Sequence, residues 1–177
     1  MKAIIGHPAR FLSVLISLVA TMLLGTSAGW AQQKPLKGQL VGAWTLVSIE
    51  VTPKGGTKQP GFGGPNPKGI LIFDAGGRYA SVTGRPDRPK FKPSANLRAD
   101  TPAAEFGEAA RGFGANFGNW SVNEADKTLI RKYEIALIPN NDRNETKASV
   151  SLSKGELKLV QVSAAGAKTE SVYQRAK

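Results

Sequence analysis

The sequence predicts an all-β protein in which eight antiparallel strands form a sandwich or an up-and-down barrel, with one short helix in a long loop. Three observations carry this. Short segments rich in Val, Ile, Thr and aromatic residues recur along the chain. The later ones are separated by tight turns bearing Gly or Asn. Several alternate between apolar and polar residues, as strands wetted on one face do.

The chain opens on a segment that reads as a removable leader. Lys2 and Arg10 make a positive start and residues 11–24 (FLSVLISLVATMLL) are almost uninterruptedly apolar. Gly29-Trp30-Ala31 then puts small side chains at the −3 and −1 positions of a cut before Gln32, with a cut after Ala28 as the alternative. The apolar run is shorter than the roughly 20 residues that cross a bilayer. No transmembrane segment is therefore expected after cleavage, and the expected location is periplasmic or secreted. Residues 32–177 make one domain at roughly 100–200 residues per domain.

Within that domain, residues 39–52 (QLVGAWTLVSIEVT) form the first expected strand, apolar on both parities. Residues 53–69 follow, with six Gly and four Pro in seventeen positions, and read as an irregular loop. Strands are expected at 68–74 and 78–84, joined by Ala75-Gly76-Gly77. The stretch 85–116 is a second long loop, whose first part (RPDRPKFKPS) is basic and broken by Pro. Its second part, 100–112, has the marks of a helix: Asp100 or Thr101 as cap, Pro102 in the first turn, and Phe106, Ala109 and Ala110 along one face. The remaining strands are expected at 117–122, 128–138, 145–153, 156–163 and 168–175.

Composition narrows the chemistry. The full chain has no Cys and one His, and that His7 lies in the leader together with Met1 and Met22. The chain left after cleavage has 146 residues with neither imidazole nor thiol, and 22 basic against 13 acidic side chains, a formal charge of +9. Ser-His-Asp and Cys-His catalysis have no residues to work with, and neither do zinc, copper or haem sites built on those ligands. No metal, no cofactor and no catalytic residue is expected. The carboxylate pairs Glu105/Glu108 and Glu124/Asp126 are better read as helix and turn residues than as acid–base machinery.

Gly42-Ala43-Trp44 resembles the Gly-x-Trp signature of lipocalins. The wider run GAWTLVSIEV, NPKGILIFDAGGRYASV, RPDRPKF and, after a short helix, ANFGNWSV is similar to the bacterial lipocalin-like domain family, over about residues 39–162 and extending to Arg175. The resemblance implies an eight-stranded up-and-down barrel with Gly42, Trp44 and Arg175 at its closed end, the Arg packing over the Trp ring. Members often carry a His in the strand after the helix and a Trp after the following Pro-Asn. This chain reads TLIRKYEIAL and PNNDRN there, so no role of those residues is carried over.

An eight-stranded barrel holds packed side chains or one small ligand. Leu129, Arg131, Tyr133, Ile135 and Leu137 share one parity of their strand, and Arg131 on that apolar face is a candidate anchor for an anionic head group, or else a partner for Glu50. Tyr79, Trp120, Arg131, Tyr133 and Ile135 are the expected pocket residues, with filling the barrel end the alternative for Trp120. Arg85, Arg88, Lys90, Lys92 and Arg98 gather positive charge at the expected rim. They lack the aromatic platform of a nucleic-acid binder, so no nucleic acid is expected and weak contact with an anionic surface is the alternative. The expected partner is a small hydrophobic or amphipathic molecule, with the two long loops shaping the mouth.

Overall fold

The computed structural model describes residues 34–177; the leader expectation concerns residues 1–31 and lies outside the described residues. The strands run β1 (Gly42–Thr52), β2 (Gln59–Pro60), β3 (Lys68–Phe73), β4 (Arg78–Gly84), β5 (Phe113–Asn123), β6 (Thr128–Ala136), β7 (Glu145–Ser153), β8 (Glu156–Val162) and β9 (Lys168–Arg175). Each pairs antiparallel with the next in order, except that β2 is a two-residue strap on the edge of β1. Pairing of β1 with both β3 and β9 closes the sheet into an eight-stranded barrel. The structure thus resolves the sandwich-or-barrel alternative in favour of the barrel. No helix among the described residues is long and apolar enough to cross a membrane.

Three expectations need correction. The first strand begins at Gly42, because the preceding residues form a short helix α1 (Leu36–Leu40) whose Leu40 is fully buried. Strand β5 begins at Phe113 instead of residue 117, and its Gly- and Asn-containing start is held by full register with β4 from Gly84↔Phe113 to Arg78↔Asn119. The expected helix is α3 (Ala103–Arg111), preceded by a single turn α2 (Leu97–Asp100). Pro102 takes its N-cap position without a side-chain cap bond, and Asp100 bonds to Ser94 instead. Ala110 is exposed and Phe106 is half-buried, its ring 4.9 Å from that of Phe91, so α3 lies on the surface.

Alternation is broken at two bulges. Leu46 pairs with Tyr173 but Ser48 with Val172, so Val47 is skipped and points outward. Phe117 pairs with Ile135 but Gly118 with Tyr133, so Glu134 is skipped and every residue of β6 beyond it changes face. Ile135 is consequently 54% exposed, and Leu137 is exposed too.

The core is strongest at the end of the barrel that α1 covers, where Leu40, Trp44, Phe73 and Trp120 are all buried. The Glu124 carboxylate in the β5–β6 turn accepts the backbone N–H of Leu36 and of Lys37, each at 2.8 Å, and so fixes the start of α1. The loops 53–67 and 85–112 both lie at the opposite end, because each follows the C-terminus of a strand that starts at the α1 end.

On the outer wall, Glu50 and Glu170 face each other across β1 and β9, an unfavourable placement for like charges. Lys58 lies 2.5 Å from Glu50, while Lys158 and Lys168 both bind Glu170, the latter at 2.8 Å. Hydrogen bonds from Lys158 and Lys168 hold the Glu170 carboxyl down at about 2, below its ordinary 4.5. A carboxylate with a depressed pKa contributes stability that is complete above its unfolded value and is lost as the pH falls through its folded one. Between about pH 5 and pH 2 the native chain should therefore lose stability more steeply than Glu170→Gln, as urea midpoints would show. Parallel pH profiles for the two proteins would remove Glu170 from the acid response.

Candidate functional site

The closed end is built around Trp44. Its ring is fully buried and its Nε1 donates to the Leu40 carbonyl at 2.8 Å. The Arg175 guanidinium stacks 3.9 Å from the Trp44 ring centroid and donates to the carbonyls of Gln39 and Val41, the latter at 2.7 Å. Gly42 is required twice over. Its φ is +123°, and a Cβ there would sit 2.8 Å from an Arg175 nitrogen. Gly42, Trp44 and Arg175 therefore make one stopper, tied to α1 through backbone carbonyls.

Trp120 belongs to this stoppered end and not to an open pocket. It is 4% exposed, its ring lies 4.6 Å from Phe73, its Nε1 donates to the Asp74 carbonyl at 3.1 Å, and Lys37 of α1 stands over it. Ile135 also leaves the expected pocket, because the bulge at Glu134 turns it to the outside. Tyr79, Arg131 and Tyr133 stay together inside. Tyr79 and Tyr133 both flank Gly118 in register, with ring centroids 6.4 Å apart, and Arg131 lies 5.7 Å from the Tyr79 ring.

Toward the loop end the interior changes character. Many of the inward positions there are small or polar, namely Gly69, Ser81 and Thr83, then Gly114, Asn116 and Gly118, with Thr146 on β7, while β1 adds Ile49 and Val51. Three buried oxygen atoms of this region have no hydrogen-bond partner, namely Tyr79 Oη, Asn116 Oδ1 and Thr146 Oγ1. Arg131 is only 8% exposed, forms no ion pair among the described residues, and has Thr146 as its register partner on β7. Glu50, the alternative partner, is engaged by Lys58 on the outer wall. Apart from Arg175 in the stopper, Arg131 is the one charged residue at an inward strand position among the described residues. Burial raises the Tyr79 hydroxyl above its ordinary value of 10.0, with the Arg131 charge opposing the shift, so Tyr79 is a neutral donor at any physiological pH. Burial raises Tyr173 as well.

Ser81, Asn116 and Thr146 were not among the expected pocket residues. Thr146 shares the apolar parity of β7 and could have been found from that alternation. Asn116 could not, since it lay in what reads as a loop.

The loop 53–67 reaches over the mouth. Gly61 N–H donates to the Ile49 carbonyl at 2.8 Å, and the Phe62 ring lies against inward-facing Gly114, where a Cβ would come within 3.1 Å of it. Of the basic residues, Arg85 contacts Asp87 at 3.4 Å and Glu108 at 3.9 Å, and Arg88 stands 4.9 Å over Phe113. Lys90, Lys92 and Arg98 are exposed. Arg85 and Arg88 also line a shallow outer groove of about 350 Å³ with Lys68, Ile70, Val82 and Phe113. Of the carboxylate pairs, Glu108 is engaged by Arg111 at 2.8 Å and Glu124 by α1. Among the described residues no group of three or more His, Cys, Asp or Glu side chains is placed to hold a metal ion.

A closed antiparallel barrel, stoppered at one end by a Trp–Arg stack and lined with polar groups toward the other, is a protein of the ligand-binding barrel class. The chain belongs to the family of the lipocalin-like domain, whose model matches residues 41–176. That fold is typically one of binding and not of catalysis. A search of curated proteins finds no match. Among solved structures the chain is similar to a redesigned β-barrel at 14% identity and a TM-score of 0.41, covering 81% of this chain and 96% of that one. It is also similar to a de novo designed fluorescence-activating β-barrel at 9% identity and a TM-score of 0.39, covering 80% of this chain and 98% of that one.

Proposed function

We propose that the protein is an exported carrier that holds a small hydrophobic or amphipathic molecule, non-covalently, in the loop-side half of its barrel. The supporting observation is the asymmetry of the interior. Large apolar side chains fill the stoppered end, whereas glycines, hydroxyls and an uncommitted Arg131 line the other. Burial of the ligand's apolar part would supply affinity at about 25 cal/mol per Å² before the costs of association. On this reading the expected leader at residues 1–31 takes the molecule to the periplasm or out of the cell, where it acts as a binding protein.

Native mass spectrometry of the protein purified from its own exporting cell tests this reading. The expected result is an adduct that is lost on denaturation. A clean apo mass, with no response of Trp44 and Trp120 fluorescence to added lipids, would remove the carrier reading. The outer groove beneath Arg85 and Arg88 favours a second reading, an interaction module docking on an anionic surface with no ligand in the barrel. Salt separates the two, because contacts through exposed charges weaken once the Debye length falls to about 3 Å near 1 M. Uptake of an apolar probe should persist there.

A further inference from the structure

We infer that the ligand carries a single carboxylate and enters it first, so that the head group rests on Arg131, Tyr79 and Thr146 while the rest of the molecule points to the loop-side mouth. This rests on the carrier reading above and specifies its ligand.

The argument starts from what a barrel interior tolerates. A guanidinium stays protonated, and burying it without a counter-charge is unfavourable unless an anion joins it. Arg131 is 8% exposed, has no acidic partner among the described residues, and lies 5.7 Å from the Tyr79 ring. Beside it two hydroxyls, Tyr79 Oη and Thr146 Oγ1, are buried with no hydrogen-bond partner. Such orphaned groups are uncommon in folded proteins and mark places where a partner is missing.

The donor set selects the anion. A carboxylate accepts only, through two oxygens, and matches the planar fork of an Arg with hydroxyl donors to either side. One positive charge with neutral donors balances a monoanion. A phosphate monoester would bring close to two negative charges, and among the described residues no second cation stands at an inward position near Arg131. Position sets the direction of entry. Arg131 is the register partner of Trp120, which closes the floor, so a molecule held on Arg131 would extend past Gly118, Asn116 and Ser81 toward the mouth. Tyr79 and Tyr133, whose ring centroids lie 6.4 Å apart, would flank the head group on that side.

The test compares head groups on the same chain. Octanoate and dodecanoate are titrated calorimetrically against octanol and dodecanol, with the native protein and with Arg131→Met and Tyr79→Phe. The native protein should prefer each acid over its alcohol by about ten- to hundredfold, the range of a charge-assisted hydrogen bond. Arg131→Met should bring that preference to within about twofold while the alcohols bind as well as before. Tyr79→Phe, which keeps the ring and removes one donor, should weaken the acids alone by about three- to tenfold. Thermal melts of both variants establish that they fold. Equal binding of acid and alcohol by the native protein would overturn the proposal and leave the carrier reading standing. Survival of the preference in Arg131→Met would overturn it too, by moving anion recognition to the rim. Failure of both probe types to bind would count against the barrel as a container, and against this proposal with it.

Discussion

Gly118→Ala is expected to destabilise the protein by about 3 kcal/mol, a large effect for a single added methyl. A Cβ at this position would stand 2.1 Å from the Lys132 carbonyl oxygen, 2.8 Å from the Glu134 nitrogen and 3.1 Å from the Lys132 carbonyl carbon. All three are backbone atoms, so no side chain can rotate away. Gly118 sits at the bulge where Glu134 is skipped, paired with Tyr133. Relief would require β6 to shift, and a shift in register returns Ile135 to the interior and turns Tyr133 away from Tyr79. Gly114→Ala is the control on the same strand. Its Cβ would meet the Phe62 ring at 3.1 Å, and that ring belongs to a loop able to move, so a cost below about 1 kcal/mol is expected. Urea denaturation of the two variants decides the matter. Similar costs at both positions would mean that β6 yields easily and that the bulge does not set the geometry of the pocket.

Trp44→Ala should cost about 3–5 kcal/mol, the range for truncating a fully buried large aromatic. The ring is completely buried and its indole N–H holds the Leu40 carbonyl, so the substitution opens a cavity and leaves that carbonyl without its partner. Arg175→Ala should cost about 1–3 kcal/mol, because it removes the stack on Trp44 and both donations to the α1–β1 connection. Arg175→Lys should recover little of this, since an ammonium cannot stack flat and serve two carbonyls together. In the double variant the costs should fall short of additivity by about 1 kcal/mol, the portion carried by the stack itself. Strict additivity would show that Arg175 acts only through its hydrogen bonds to the backbone.

Both predictions concern residues whose importance was unequally visible in the sequence. Gly42 and Trp44 stand three and five residues into the first expected strand, and Arg175 ends the last one. Their meeting needed only the resemblance and an antiparallel closure, and the structure adds the carbonyls that tie the stopper to α1. Gly118 was invisible as a determinant. A glycine among Phe117, Asn119 and Trp120 carries no signal of its own, because its requirement comes from the backbone of a different strand. The same bulge explains the misplaced Ile135. Alternation read along one strand assumes that the partner keeps step, and residue 134 breaks step. Trp120 stays open between pocket and barrel end in the sequence for a related reason: its parity is inward, but parity does not say at which height in the barrel a side chain sits.

Residue types and their short-range pattern were enough for the set of barrel strands, the tight late hairpins, the closed-end signature and the absence of imidazole and thiol from residues 32–177. These depend on residue type and short-range periodicity, which are properties of contiguous segments. The tertiary structure alone decided that the sheet closes as a barrel, that β5 starts inside an apparent loop, and that two bulges reset the faces of β1 and β6. It alone decided that Arg131 is left without an acidic partner, because Glu50, within reach in any list of charges, points from the other side of the barrel wall. Which face a residue occupies, and what waits there, is set by cross-strand register, and register is formed between segments far apart in the chain.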